Sequence, residues 1–476
     1  MGSRRLAVTV MCVGYFLVLL DVSIVNVALP SIGSDLGAGV GALQWTVDAY
    51  AVTLAALMLT AGTLGDLYGH KRIVLAGLAL FGAGSAGCAL APTAGALVGF
   101  RALSGIGAAL LLPGTLAIIT RAVPDRREQA RAIGVWAGVG SVALPAGPVL
   151  GGALVDGPGW RWVFWINVPI VLVAGLVTAR VISESRATAR RRPDVRGMVT
   201  GALALAAVVD AFVSHDSWIP VVLAAAFLLL FAAAESRAAD PMIPLPLLRQ
   251  QGFVVANAAA GAMNLGTLGL LFVVTLFLQR VQGRSALAAG LALLPLFLPL
   301  SVLAPIAGRM TARFGPRRPM VAGLVVAAAG AALLILLDAG TAYPVIVPGL
   351  LLWGVGLGVL TPAVVAAAVR AAPDDRAGLA SAANNTARQA GGAVGIAAYG
   401  ALAGDPGAGG FVGGLHLVSA VTAALFVVTA LVVLLTIDRG RAERRPLRES
   451  PTFRRDDRSA PERHRVHSSR EHDRHR

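Results

Sequence analysis

Gly62-Thr-Leu-Gly-Asp66-Leu-Tyr-Gly69-His-Lys71-Arg72, followed by Ala76-Gly77-Leu78, returns later in the chain as Gly308-Arg-Met-Thr-Ala312-Arg-Phe-Gly315-Pro-Arg-Arg318, followed by Ala322-Gly323-Leu324. Every matched pair is 246 residues apart. Each copy is a short basic turn between two long apolar runs, where glycine supplies backbone geometry and close helix approach that other residues resist. A repeat of this kind marks a membrane chain built from duplicated halves. An offset of 246 residues holds about eight spans with their connections, two more than a six-span half requires.

Outward from that repeat, the composition says what surrounds it. Of 476 residues, 56% are hydrophobic and 14% charged, whereas a water-soluble domain carries about 25% charged residues. An ordinary soluble enzyme is excluded. Apolar runs of spanning length fall at 7–29, 43–63, 73–91, 95–120, 132–155 and 163–182, then 197–214 and 218–234, then 253–278, 286–307, 319–337, 343–368, 377–403 and 412–436. The expected fold is an all-α integral membrane protein of 14 transmembrane helices: two six-helix bundles related by a pseudo-two-fold axis, with an inserted helix pair. The corresponding divisions are 1–182 for the first bundle, 183–252 for the linker with its two extra helices, 253–437 for the second bundle, and 438–476 for a basic tail expected to be disordered and cytoplasmic.

A net charge of +15 would suggest nucleic acid in a soluble chain, but here it reads as topology. With the N-terminus in the cytoplasm, 22 of the 40 Lys and Arg fall at the N-terminus and in inner loops, 13 in the tail, and only Arg161, Arg280 and Arg284 outside. Arg101 and Arg388 are left within spans. Such asymmetry places both termini in the cytoplasm of a multi-pass inner (plasma) membrane protein and makes nucleic acid an unexpected partner. Trp160, Trp162 and Trp165 stand where an interfacial aromatic belt is expected. Cys12 and Cys88 sit alone in apolar runs and read as small buried hydrophobes. Neither a metal-ligand spacing nor a phosphate-cradling loop is present in the sequence.

Several motifs in order carry a family likeness. Leu20-Asp21-Val-Ser-Ile-Val-Asn26-Val-Ala-Leu-Pro30, the Gly62–Arg72 turn, Arg101-Ala-Leu-Ser104-Gly105-Ile-Gly107, Gly147-Pro148-Val-Leu-Gly151-Gly152 and Trp160-Arg-Trp162-Val-Phe-Trp-Ile-Asn167-Val-Pro169 together resemble a 14-span drug/proton antiporter of the major facilitator superfamily. The likeness covers about residues 7–437. It departs at Ser104, where the family often has Gln, and at Ala312, where the second turn lacks the acid of Asp66. The resemblance implies a proton-coupled exporter of amphipathic organic molecules such as antibiotics, working by alternating access. It would act as a monomer in the bilayer, with a proton gradient as its energy source and no cofactor.

Ionisable groups at membrane depth are costly and are functional candidates by default. Asp21, Asp48 and Arg101 lie in the outer half by residue count, at roughly 8–12 Å depth. Asp21 is expected to be the main proton or cation site, Asp48 a second acidic site, and Arg101 the fixed positive charge that tunes both. A structural ion pair locking helices is the competing reading. Arg388, within Asn384-Asn385-Thr-Ala-Arg388-Gln389, is expected to meet an anionic substrate group or a carbonyl cluster, or to be structural. Asn26, Trp45, Asn264 and Asn385 are the other candidates for a substrate cavity, and core packing is their alternative. By resemblance, Gly62, Asp66, Gly69, Lys71 and Arg72 form a cytoplasmic gate, and Gly147, Pro148, Gly151 and Gly152 an antiporter bend. A membrane-embedded sensor on a transporter fold and a proton-coupled metabolite importer are the rival functions.

Overall fold

The computed structural model describes residues 2–123, 125–184, 194–214, 217–238, 241–373, 376–407 and 409–437. The tail beyond residue 437 and the centre of the first linker segment, 185–193, lie outside the described residues, and so does the expectation of a disordered tail. Among the described residues the regular structure is helical throughout. That is what lipid demands, because each backbone N–H and C=O must then be satisfied within its own segment.

Among the described residues, fourteen helices have membrane length. The first six are α1 (Gly2–Leu36), α2 (Val40–Tyr68), α3 (His70–Leu90), α4 (Ala94–Ala122), α5 (Arg126–Asp156) and α6 (Trp162–Val181, with a joint at Ile166). Then come α7 (Val195–Val213) and α8 (Ile219–Arg237). The last six are α9 (Gln251–Leu276), α10 (Leu294–Phe314), α11 (Arg317–Leu333), α12 (Tyr343–Arg370), α13 (Ala377–Ala403) and α14 (Phe411–Thr436). A wide turn, Phe277–Val281, extends α9, and a short helix, Ala286–Ala292, precedes α10. Thirteen of these helices are apolar enough to cross a membrane on composition alone. The exception is α13, whose middle carries Asn384, Asn385, Arg388 and Gln389.

The duplication read from the turn motif extends to packing. Within the first six helices α1 packs on α5, α2 and α3 on α4, and α3 on α6; within the last six α9 packs on α13, α10 and α11 on α12, and α11 on α14. The two turns themselves share geometry: Gly69 has φ 104° and Gly315 φ 79°, a region that only glycine enters at little cost. Eight residues after each turn glycine, Gly77 and Gly323 bring helix backbones together; a Cβ there would lie 2.9 Å from the Gly107 carbonyl and 2.7 Å from that of Gly356. Small residues at such crossings replace the hydrophobic driving force that lipid removes.

The halves meet along two seams, α2 against α13 and α5 against α10 with its preceding short helix. The inserted α7 covers the first seam. Its Leu205, Ala206, Val209 and Val213 share a cluster with Trp45, Ala51 and Val52 of α2 and with Ala393 and Ala397 of α13. By contrast α8 buries little beyond Pro220 and Ala224 and packs chiefly on α7.

Two expectations are adjusted. The first helix is 35 residues long rather than ending at residue 29, because Pro30 sits inside it without breaking it. Asp21 is therefore 15 residues, about 22 Å, from the end of α1 rather than at the expected depth of roughly 8–12 Å. Trp160 is also not an interfacial anchor: it is 5% exposed, and its indole N–H donates to Asp35 at 2.9 Å. Trp162, 50% exposed, keeps the belt position.

Candidate functional site

Four helices converge on Asp21. From α4, Arg101 Nη1 donates to Asp21 Oδ2 at 2.5 Å, while its Nε donates to the Thr46 carbonyl of α2 at 2.9 Å. The guanidinium carbon lies 4.4 Å over the Tyr50 ring, a cation–π arrangement that covers the face the carboxylate leaves free. From α6, Asn167 Nδ2 makes a long contact of 3.5 Å to Asp21 Oδ1 and donates to Ser85 Oγ of α3 at 3.3 Å. Asp21 is 0% and Arg101 1% exposed. A pair this dry holds because each charge has its counter-charge and further hydrogen bonds, and removing one partner strands the other.

Asp48 is placed differently. It is fully buried, and neither carboxyl oxygen has a hydrogen-bond partner. It lies one helical turn from both Trp45 and Val52, on the side of α2 that meets α7 and α13. The structure thus keeps Asp48 out of the Asp21–Arg101 pair, and an ionised carboxylate there would meet no compensating group.

Beside the pair is a small cavity of about 10 Å³, room for one water molecule. Asn26, Tyr50 and Arg101 line it from the first half, Leu268, Gln389 and Ile396 from the second. Of the residues expected to line a cavity, Asn26 does so. Trp45 packs in the α2–α7–α13 cluster, Asn264 is buried on α9 at 8% exposure, and Asn385 donates to the Ser381 carbonyl of its own helix at 3.3 Å. Arg388 has its Nε shut away from solvent without a partner. Asn167, Tyr50 and Gln389 are not among the site residues expected from sequence, although Asn167 is a rare amide in an apolar span.

The turn residues bind within their own half. Asp66 lies 3.2 Å from His70 Nε2 and 3.7 Å from Arg121 Nη2. The Lys71 backbone N–H donates to Glu184, Lys71 Nζ donates to the Ala179 carbonyl at 2.7 Å, and Arg72 pairs with Glu184 at 3.5 Å. Gly62 leaves open space, and a Cβ on Gly69 would collide with the Glu184 carboxyl. In the second turn Arg317, the counterpart of Lys71, donates to the Leu434 carbonyl of α14. Each turn is strapped to the last helix of its half.

The Gly147–Gly152 stretch is a joint. A Cβ on Gly147 would run into Ser23, and one on Gly151 would lie 2.8 Å from Ile24 Cγ1, so both press α5 onto α1. Gly152 faces the other half, where a Cβ would lie 2.7 Å from the Ala286 carbonyl, and the Pro148 carbonyl meets Gly290. Next to it Asp156 accepts from the N–H groups of Ala286 and Leu287 at 3.1 and 2.9 Å. At the same end of the bundle Gln44 donates to the Ala397 carbonyl at 2.8 Å, Gln279 to the Val27 carbonyl at 3.0 Å, and Arg280 to the Pro30 carbonyl. The halves are fastened at the end that carries Trp160, with Ser301 and the Ser141 carbonyl joined near mid-depth at 2.5 Å.

Comparison with known proteins agrees with this architecture. Residues 11–396 match the Major Facilitator Superfamily. The multidrug resistance protein Stp of Mycobacterium tuberculosis is 35% identical over 397 residues, covering 82% of this chain and 74% of the relative. The methylenomycin A resistance protein of Streptomyces coelicolor is 34% identical, covering 84% and 87%, and the tetracenomycin C resistance and export protein of Streptomyces glaucescens is 36% identical, covering 82% and 74%. Among solved structures, the nucleoside transporter NupG superposes with TM-score 0.66 at 11% identity, over 91% of this chain and 100% of that one. A peptide transporter, POT, gives 0.67 at 15% identity, over 90% and 93%. With its paired six-helix halves and inserted α7–α8, this chain belongs to the Major Facilitator Superfamily, a family of membrane transporters and not of enzymes.

Proposed function

We propose that the chain is a proton-coupled exporter of amphipathic organic molecules, antibiotics among them, which works by alternating access between its two halves. The observation that carries this reading is the buried Asp21–Arg101 pair beside a cavity shared by both halves. The names of the relatives, resistance and export proteins, support the direction and the substrate range. The excess of basic residues puts the end bearing Asp66 in the cytoplasm, with both termini. The end bearing Trp160 is then outside and closed.

On this reading Asp21 exchanges a proton. While it is ionised, it fixes Arg101 between α1, α2 and α4. When protonated from outside, it no longer neutralises the guanidinium, and Arg101 is free to take other acceptors. The cost of a lone charge at this depth then links the proton to the position of α1 against α4, and through Gly147 and Gly151 to α5. Asp48 is a second proton site, set apart from the first beneath α7. The joint formed by Gly152, Asp156 and the Ala286–Ala292 helix closes the outer side, while the Asp66–Arg72 turn governs the inner side. Of the candidates for the substrate path, Asn26 and Arg388 are kept on this reading.

The test is drug/proton exchange in inside-out vesicles. Asp21→Asn is expected to bind substrate and to lose gradient-driven accumulation by at least tenfold. Accumulation that still follows an imposed proton gradient in this variant overturns the role of Asp21 in coupling.

A further inference from the structure

Arg388 is the charge in the membrane region that the coupling site leaves unused. No carboxylate among the described residues pairs with it, its Nε has no hydrogen-bond partner, and Tyr15 of α1 is the ionisable side chain that interacts with it. The Tyr15 ring in turn stacks on Trp136 of α5, with centroids 3.8 Å apart and planes 17° from parallel. Gly140 permits this, because a Cβ there would run into the Tyr15 ring. The Trp136 indole N–H is itself buried without an acceptor, and Asn384, one turn before Arg388, is 0% exposed with both amide atoms unpartnered. Tyr15, Trp136 and Arg388 all lie roughly 15–20 Å along their helices from the Asp66 end, between the first half and the second.

We infer that this place binds a planar organic anion: an aromatic molecule bearing a carboxylate, enolate or phenolate that pairs with Arg388 while its ring system lies against the Tyr15–Trp136 stack. The inference rests on the exporter reading and adds the charge class of its substrate. Several buried donors on these helices have no partner, those of Arg388, Trp136 and Asn384, whereas Asp21 is already neutralised by Arg101. A guanidinium so placed repels an organic cation and gains a charge-assisted, bidentate contact from an anion. The carboxylate need not be supplied by the protein, because the cargo supplies it. Binding then bridges α13 to α1 and α5, which gives a substrate a hold on both halves at once.

The test uses two xanthene dyes of like shape and opposite charge, fluorescein (anionic) and rhodamine 123 (cationic). Their affinities for detergent-purified protein are measured by fluorescence anisotropy, and their transport is followed in proteoliposomes with an imposed proton gradient. Fluorescein is expected to bind at least tenfold tighter than rhodamine 123. Arg388→Gln should lose about tenfold or more of the fluorescein affinity with rhodamine binding unchanged or improved, Arg388→Lys should retain part of it, and Tyr15→Leu should weaken both dyes. Equal affinity for the two dyes in the native protein, or fluorescein binding indifferent to both Arg388 variants, overturns the inference. If the Gln variant does not fold, the Lys variant and the dye preference of the native chain decide. Charge-selective, Arg388-dependent binding with no gradient-driven movement of either dye supports the anion site and overturns the exporter reading instead.

Discussion

Arg101 and Arg388 are two arginines at membrane depth, one in each half, and they are treated oppositely. Arg101 is bound to Asp21, to the Thr46 carbonyl and to the Tyr50 ring, with 1% of its side chain exposed. Arg388 has a buried nitrogen with no partner and an aromatic pair nearby. A charge whose requirements are met internally is suited to holding helices and responding to protonation of its partner. A charge whose requirements are unmet is suited to something that arrives. Their difference is one of wiring, since both are arginines set within membrane-length helices.

The largest effect should come from breaking the wired arginine. Arg101→Met strands Asp21 and is expected to cost about 3–5 kcal/mol of stability, read as thermal unfolding in detergent, and to abolish coupled transport. Asp21→Asn combined with Arg101→Gln should recover most of that stability and none of the coupling. If Arg101→Met unfolds no more readily than the native protein, the contrast between the two arginines collapses. Next, Gly152→Val at the joint between halves should overpack it by about 1–3 kcal/mol and favour opening at the Trp160 end. That opening is read as faster labelling of Leu287→Cys by a membrane-impermeant thiol reagent. Arg388→Gln strands no acid, so its unfolding temperature is expected to stay near the native value while the substrate spectrum changes. A large loss of stability would show that Arg388 is wired after all.

A smaller effect sharpens a second contrast, between the two turns. Asp66 is 46% and Arg121 37% exposed, so Asp66→Ala, which makes the first turn resemble the second, should change stability by no more than about 1 kcal/mol. A transport defect larger than that loss of stability explains would assign Asp66 to gating, and none would leave it a surface strap.

Much of the fold was legible because a bilayer leaves few options. Length of apolar run, position of arginine and the 246-residue repeat sufficed for fourteen helices in two related halves. The joint at Ile166, the extension of α1 past Pro30 and the inward turn of Trp160 were not legible. In the last two, a tertiary partner overrides the local signal: Asp35 draws Trp160 in, and neighbouring helices carry α1 beyond its apolar run. For the site, Asp21 and Arg101 stood out in the sequence as charges without an interfacial excuse, yet nothing in their spacing could pair them. They are 80 residues apart.

By itself, then, the sequence determined the membrane class, the helix count, the duplication and which few charges lie at depth, because hydropathy and repetition are properties of the chain. The tertiary structure alone decided which charge is neutralised, that Asp48 stands apart under α7, that the turns are strapped within their halves, and that the halves are fastened at the Trp160 end. Those are relations between helices far apart in sequence, and only packing brings the atoms within the few ångströms over which a hydrogen bond or an ion pair acts.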